Sequence, residues 1–208
     1  MSRSTLLALG VLVSGRGSNL QSILDAARAP GYPARVAVVV CDRERAPALE
    51  RAAAGGVPGV FLNPKDFADR AAYDAALGRT LEEHGVGLVC LAGFMRILSP
   101  PFIRRFAGRI LNVHPSLLPA FPGLRPQRQA LAHGVRVAGA TVHFVDDGVD
   151  TGPIVLQASV PVLPGDTEES LAARILVEEH RLYPAAIRLF AEGRLRIAGR
   201  QVVIEETR

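Results

Sequence analysis

The chain has 208 residues, of which 49% are hydrophobic and 21% are charged, and its net charge is +4. This hydrophobic content supports a sizeable core and excludes an intrinsically disordered protein. The basic residues are scattered, with Arg104 and Arg105 as the only adjacent pair, which argues against a nucleic-acid partner.

The apolar run at residues 6–13 leads into a glycine-rich segment instead of a cleavage site, so it predicts a buried first strand and not a signal peptide. No stretch is long enough to cross a membrane, and no membrane partner is expected. Cys41 and Cys90 each follow a valine-rich run. Two cysteines build neither a disulfide framework nor a zinc cluster, so we expect buried thiols at strand ends in a cytoplasmic protein.

The first half alternates unbroken apolar strands with helices, which is typical of a parallel sheet covered on both faces. Strands are predicted at residues 6–13, 35–41, 59–62, 87–91 and 109–113, and helices at residues 19–28, 47–54, 69–84 and 101–106. This pattern predicts an α/β protein whose N-terminal half holds a Rossmann-like parallel sheet.

After Gly123 the pattern changes. A helix is predicted at residues 127–133, antiparallel strands at residues 137–145 and 154–160, and a hairpin at residues 195–197 and 201–204. A long helix is predicted to start at a cap formed by Asp166, with Glu169 completing a capping box, and to run to about Glu192 with a kink at Pro184. The parallel sheet is thus expected to be extended by antiparallel strands and a long helix.

The segment NVHPSLLP, at residues 112–119, places two polar, reactive side chains inside an apolar run. Asn112 and His114 share one face of an extended strand, and Pro115 disfavours helix at His114, so the pair lies where a strand ends. An amide can donate a hydrogen bond to a developing oxyanion, and an imidazole can transfer a proton near neutral pH. The alternative is a buried Asn and His satisfied by backbone groups.

The segment SGRGSNL, at residues 14–20, connects the first strand to the first helix. Its glycines allow close approach of a ligand to the backbone, and the helix N-terminus favours an anion, so it predicts a phosphate cradle. Leu20 replaces the third glycine of a dinucleotide fingerprint, although Asp42 lies where a ribose-binding acid is expected. An ordinary turn is the alternative.

The roles of two further segments depend on which residues the fold brings next to them. Residues 92–101 form an apolar loop that either packs at a strand end or presents its backbone to a flat heterocycle. Asp150 follows Asp146 and Asp147, which are typical solvated turn residues. If the fold brings Asp150 to His114, its charge orients the imidazole and raises its pKa. His143, within a strand, is interpreted as a packed side chain, and no metal-ligand spacing is present.

Four blocks occur in an order that is familiar from one family. They are SGxGSNL at 14–20, LAGFMRIL at 91–98, NVHPSLLP at 112–119 and VHFV at 142–145, the last followed by Asp150-x-Gly152. Over nearly its whole length the chain resembles the phosphoribosylglycinamide formyltransferases, a folate-dependent family of purine biosynthesis. The resemblance implies a single domain at residues 1–208, with a nucleotide-binding half at 1–108 and a catalytic half at 109–208.

The resemblance also implies a reaction, in which the amine of glycinamide ribonucleotide takes the formyl group of 10-formyltetrahydrofolate, a co-substrate, without a metal. Asn112 would bind the oxyanion, His114 would stabilise it as imidazolium and relay the proton, and Asp150 would hold His114 charged. The residues implied to hold the substrate phosphate and ribose are Gly17, Ser18, Asn19 and Glu179. Those implied to contact the folate are Arg70, Met95, Arg96, Ile97 and Leu98. A monomer or a homodimer is expected.

The chain departs from the family at two places. Arg16 stands where asparagine is frequent, and residues 122–127 replace a histidine-containing stretch, with Arg125 as a possible substitute charge. The second functional candidate is a formyltetrahydrofolate hydrolase, although such enzymes usually carry an additional N-terminal domain. A dinucleotide-dependent oxidoreductase would leave Asn112, His114 and Asp150 without a task, and a non-catalytic anion-binding module would explain only the charge.

Overall fold

The computed structural model describes residues 6–206. The chain divides into two compact units between Leu111 and Asn112. The expected single domain with functional halves at residues 1–108 and 109–208 stays a prediction.

The N-terminal unit contains a parallel sheet with strand order β3-β2-β1-β4. Its strands are β1 (Leu7–Val13), β2 (Ala34–Cys41), β3 (Gly59–Phe61) and β4 (Leu88–Leu91). Its helices are α1 (Ser18–Arg28), α2 (Pro47–Ala54), α3 (Arg70–Glu83) and α4 (Pro100–Arg105), with a 3-10 turn at Pro64–Asp66. Strands β1 and β2 are buried over nearly their whole length, as expected of a sheet covered on both faces.

Local sequence explains where these helices begin. The Asp69 carboxylate caps α3 by accepting from the backbone N–H of Ala72 at 2.8 Å. Pro47 and Pro100 lie in the first turns of α2 and α4, where the missing N–H would have no intrahelical acceptor. Each of these helices therefore starts within one residue of its predicted position.

The C-terminal unit takes Asn112, Val113 and His114 from β5 (Ile110–His114). Its other strands are β6 (Val137–Phe144), β7 (Ile154–Pro161), β8 (Leu195–Ala198) and β9 (Gln201–Ile204), in the order β5-β6-β7-β9-β8. Strands β6 and β7 are antiparallel, β9 runs parallel to β7, and β8 is antiparallel to β9. The helices α5 (Pro126–Ala132) and α6 (Glu168–Ala191) pack against each other, and α6 covers β6 and β7.

These features confirm the predicted α/β class, with parallel strands first, antiparallel strands later and a long helix near the C-terminus. Cys41 closes β2 and Cys90 lies in β4, and both thiols are buried as predicted. Within residues 6–206, no helix is long and apolar enough to cross a membrane.

The predicted cap of α6 is wrong by one residue. Thr167 is the cap, and it forms a reciprocal capping box with Ser170, in place of Asp166 with Glu169. The Asp166 carboxylate instead accepts from the backbone N–H of Leu163 and forms an ion pair with Arg174, both at short distance. These partners hold the pKa of Asp166 well below its usual range. A hydroxyl nearer the helix thus takes the cap because the carboxylate has a guanidinium partner.

Candidate active site

Strand β5 delivers Asn112 and His114 to the edge of the C-terminal unit. The strand ends at His114, immediately before Pro115, as predicted. His114 is buried and Asn112 is half-buried. The two side chains lie on the same face because side-chain direction alternates along a strand.

Both ring nitrogens of His114 face oxygen acceptors. Nε2 lies 2.9 Å from the carbonyl oxygen of Phe121, so its hydrogen donates to that carbonyl. Nδ1 lies 3.4 Å from Oδ2 of Asp150. The protonated ring can therefore donate on both sides, and Asp150 then supplies the opposite charge.

The pKa of His114 nevertheless lies below the ordinary imidazole value. Burial lowers it, while the Phe121 carbonyl and the Asp150 charge act in the opposite direction. The expected raising effect of Asp150 is thus present, but burial outweighs it.

Asp150 lies at the centre of the cluster, with a side chain that is 13% exposed. Its Oδ2 accepts from the backbone N–H of Gly123 at 2.8 Å, and its Oδ1 lies 3.5 Å from the Asn112 amide nitrogen. Burial alone would raise the pKa of Asp150, but His143, the Gly123 N–H and the charge of His114 together lower it. The carboxylate is therefore ionised at neutral pH and available as the partner of an imidazolium.

His143 belongs to this cluster, although the sequence interpretation treated it as a packed side chain. Its Nδ1 lies 2.8 Å from the carbonyl oxygen of Phe144, and its Nε2 lies 3.2 Å from the Asn112 amide nitrogen and 3.7 Å from Oδ1 of Asp150. The β6–β7 register shifts between Val142 and His143, and such irregularities redirect a side chain. His143 thus fixes which way the Asn112 amide points, and nothing in its local sequence pattern signalled that.

The loop after β5 is anchored to its own unit. Thr141 accepts from the backbone N–H of Leu118 at 3.0 Å and donates to the Ser116 carbonyl at 2.7 Å. Phe121 and Arg125 hold left-handed backbone conformations, at φ 55 and φ 54. Among residues 6–206, the only other non-glycine residue with positive φ is Asp150. Such conformations persist where surrounding contacts enforce them, often at functional sites.

The segment at residues 122–127, which we expect to depart from the family, leads into α5. Arg125 precedes the helix, Pro126 occupies its first turn, and the Gln129 amide donates to the Leu124 carbonyl at 2.9 Å. The Arg125 side chain is exposed. It is therefore placed as a surface cation next to the loop that carries Phe121 and Gly123.

In the N-terminal unit, the predicted phosphate cradle is a tight turn before α1. Gly17 is left-handed at φ 72, and no side chain caps the helix. A side chain from α2 holds this turn in place, because Arg51 Nε donates to the Arg16 carbonyl at 2.9 Å. Gly17 and Asn19 are buried and Ser18 is half-buried. An uncapped helix N-terminus is a common site for an anion.

The predicted folate loop follows β4 in the same unit and contacts this turn. The backbone N–H of Met95 donates to Ser14 Oγ at 2.9 Å. Met95 and Ile97 are 64% and 65% exposed, whereas Leu98 belongs to the core. The Arg96 guanidinium lies 4.9 Å from the centre of the Tyr73 ring, an inward cation–π contact. The loop therefore offers two apolar side chains and its backbone to a ligand.

The remaining two predicted residues lie on helices α3 and α6. Arg70 is the first residue of α3 and is exposed. Glu179 is buried on α6. Their assigned roles remain predictions.

The C-terminal cluster combines an amide donor, a titrating imidazole and a fixed carboxylate, which suits the stabilisation of a tetrahedral intermediate and a proton transfer. Across residues 6–206, no group of three or more His, Cys, Asp and Glu side chains could hold a metal ion. The sequence model of the formyl transferase family matches residues 8–187. The chain belongs to the formyl transferase family.

Relatives of this formyl transferase make the match more specific. It is 47% identical over 187 residues to the phosphoribosylglycinamide formyltransferase of Escherichia coli, covering 90% of this chain and 88% of that protein. The structure of glycinamide ribonucleotide transformylase 1 from Symbiobacterium toebii shares 60% identity, with a TM-score of 0.95 over 97% of this chain and 95% of that one. The predicted family is confirmed.

Some relatives are much longer. The chain is 52% identical over 190 residues to the trifunctional purine biosynthetic protein adenosine-3 of Drosophila pseudoobscura pseudoobscura. The aligned region covers 90% of this chain. It spans only 14% of the length of that relative.

Proposed function

We propose that the protein transfers the formyl group of 10-formyltetrahydrofolate to the amine of glycinamide ribonucleotide. The observation that carries this proposal is the cluster of Asn112, His114 and Asp150, in which an amide and an imidazole flank one carboxylate. The names of the two full-length relatives, from Escherichia coli and Symbiobacterium toebii, support the same reaction.

In the proposed reaction, the substrate amine attacks the formyl carbon and a C–N bond forms while the carbonyl oxygen becomes an oxyanion. His114 Nε2 now donates to the Phe121 carbonyl, and the formyl oxygen takes the place of that acceptor. The Asn112 amide gives up its long contact with Asp150 and donates to the same oxygen. Loss of one such donor typically costs about 10²–10³-fold in rate.

Proton movement completes the reaction. The negative oxygen raises the proton affinity of His114, and the imidazolium is stabilised by the ionised Asp150. His114 becomes that imidazolium by taking a proton from the attacking amine. It gives this proton to folate N10 as the carbon–N10 bond breaks and the oxyanion re-forms the carbonyl. The enzyme therefore ends with the protonation state in which it began.

Substrate binding is proposed for the remaining predicted residues. The turn at Gly17, Ser18 and Asn19 would hold the phosphate, because an uncapped helix N-terminus carries partial positive charge. Glu179 would contact the ribose. The folate would be bound by the loop of Met95, Arg96, Ile97 and Leu98, together with Arg70.

One experiment tests the activity. The protein is mixed with 10-formyltetrahydrofolate, and release of free folate is followed with and without glycinamide ribonucleotide. We expect turnover only when the amine is present. Turnover with water alone would identify a formyltetrahydrofolate hydrolase instead, and no turnover under either condition would overturn formyl transfer altogether.

Gly17→Ala tests the phosphate turn. Its left-handed φ of 72 disfavours any Cβ, and the new atom would lie 2.8 Å from the Ala48 side chain. We expect the free energy of unfolding to fall by about 1–3 kcal/mol and the KM for glycinamide ribonucleotide to rise more than the KM for the folate. Urea denaturation and steady-state kinetics measure both effects.

Gly15→Ala is the matched control for stability. Gly15 has no positive φ, and nothing lies within 4 Å of an added Cβ. We expect its urea midpoint to match that of the parent protein. Equal midpoints for the two variants would contradict the conformational requirement at Gly17.

A further inference from the structure

Residues 146–152 form a closed turn that carries Asp150. The Asp146 carboxylate accepts from the Thr151 hydroxyl at 2.6 Å and from the backbone N–H of Gly148 at 3.1 Å. The turn leaves no room for a side chain at Gly148, where a Cβ would overlap the Thr151 hydroxyl. These two hydrogen bonds of Asp146 close the turn that contains Asp150.

The base of the turn is equally constrained. A Cβ at Gly152 would overlap the Phe144 carbonyl. The backbone N–H of Phe144 donates to the Pro153 carbonyl at 2.9 Å. The ends of the turn are thus held together by the strands β6 and β7, and Asp146 holds its interior.

A second contact comes from the C-terminal hairpin. Arg200, next to the left-handed Gly199 at the tip of that hairpin, donates from Nη2 to the Thr151 carbonyl at 3.2 Å. The following residue, Gln201, pairs with Ile154 in the β7–β9 ladder. This hairpin lies beyond the part of the chain that matches the family, which ends at residue 187.

Two groups of Thr151 are therefore held in place. Its hydroxyl donates to the Asp146 carboxylate, and its carbonyl accepts from the Arg200 guanidinium. The preceding residue is Asp150, at φ 54. A non-glycine residue keeps such a conformation only where its surroundings enforce it. Relaxation of Asp150 would turn its Cβ, and hence its carboxylate, away from His114.

We propose that Asp146 and Arg200 are positioning residues that act through Thr151 to hold the Asp150 carboxylate against His114. The inference rests on the proposed catalytic role of Asp150 and goes beyond it, because neither residue touches the imidazole. Asp146, interpreted from sequence as a solvated turn residue, gains a specific task.

Asp146→Ala and Asp147→Ala form a matched pair, since each removes one carboxylate from the same turn. Of these two carboxylates, Asp146 accepts the hydrogen bond from the Thr151 hydroxyl. We expect kcat to fall about tenfold to a hundredfold in Asp146→Ala, the effect of losing a hydrogen bond to a charged group, and less than twofold in Asp147→Ala. KM values should change less than kcat, and Asp146→Asn, which keeps an acceptor oxygen, should recover much of the loss.

Thr151→Val and Thr151→Ser test the same hydrogen bond from its other side, and they serve if Asp146→Ala does not fold. Valine removes the hydroxyl at nearly constant shape, and serine restores it. We expect Thr151→Val to reproduce the kcat loss and Thr151→Ser to reverse it. Parent-like kcat in both Asp146→Ala and Thr151→Val would overturn the proposal.

Arg200→Ala is compared with Arg196→Ala, which removes a cation from the same hairpin. Arg196 pairs with Glu205 at 3.4 Å. We expect kcat to fall about threefold to tenfold for Arg200, as for a single exposed hydrogen bond, and to stay unchanged for Arg196. Equal effects of the two changes would remove Arg200 from the proposal.

A titration separates positioning from general stability and from the proposed activity. The His114 ring is followed by NMR in protein with isotopically labelled histidine, and its signal is assigned with His114→Ala. Because Asp150 raises the pKa of His114, Asp146→Ala should lower that pKa further, whereas Asp147→Ala should lower it less. An identical pKa in the two variants would refute the positioning role. This readout needs no substrate, so it stands even if formyl transfer is not observed.

Discussion

The Asp150→Asn variant is expected to lose about 10²–10⁴-fold in kcat, the usual contribution of a group in acid–base catalysis. An asparagine fits the same space and can still accept from the Gly123 N–H. It carries no charge, so the imidazolium of His114 loses its partner at the stage when negative charge gathers on the substrate oxygen. Steady-state kinetics with both substrates measures the loss.

Binding and a matched substitution serve as controls for this result. Calorimetry should find that Asp150→Asn still binds glycinamide ribonucleotide, since the change removes no proposed phosphate contact. Asp147→Asn alters the same turn and should keep kcat within about twofold, because the contacts described for Asp150 and Thr151, among them those of Gly123, His114 and Asp146, are not made by Asp147. A kcat for Asp150→Asn within threefold of the parent value would contradict the role assigned to the carboxylate.

The pH dependence of Asp150→Asn follows from the cited shifts. The folded pKa of Asp150 is lowered, so its ionised form stabilises the protein above the ordinary carboxyl range, and this contribution is lost as the pH falls through the folded value. Lowering the pH should therefore reduce the free energy of unfolding of Asp150→Asn less than it reduces that of the parent protein. Urea midpoints measured at neutral pH and at about pH 3, below the ordinary carboxyl pKa of Asp, test this difference.

His114→Ala is the second change with a large expected effect, again about 10²–10⁴-fold in kcat. It removes the hydrogen-bond donor that faces the Phe121 carbonyl and the group proposed to carry the proton. The pH dependence of kcat that reports the imidazole should disappear together with the activity. Kinetics over a range of pH measures both.

The control for His114→Ala is His84→Ala. His84 ends α3, and its Nδ1 contacts the Thr80 carbonyl of the same helix. That change should leave kcat and its pH profile intact. Retention of an imidazole-like pH profile in His114→Ala would show that another group moves the proton.

Local sequence was sufficient to predict most of the strands and helices of this protein. Unbroken apolar runs indicated the parallel strands, and Pro115 together with the alternation of side chains placed Asn112 and His114 on one face at a strand end, as the structure confirms. These features depend on neighbours within a few residues. The helix cap at Thr167 was missed by one position, because the choice depended on an ion pair between Asp166 and the more distant Arg174.

Tertiary structure alone decided how the groups proposed to be catalytic meet. Asp150 reaches His114 only through a left-handed turn, and His143 orients Asn112 through a register shift between strands. The electrostatic balance is also a tertiary property, since burial overrides the charge of Asp150 in setting the pKa of His114. Periodicity and proline act along the backbone and can be read from the sequence, whereas contacts between distant residues and the exclusion of water exist only once the chain has folded.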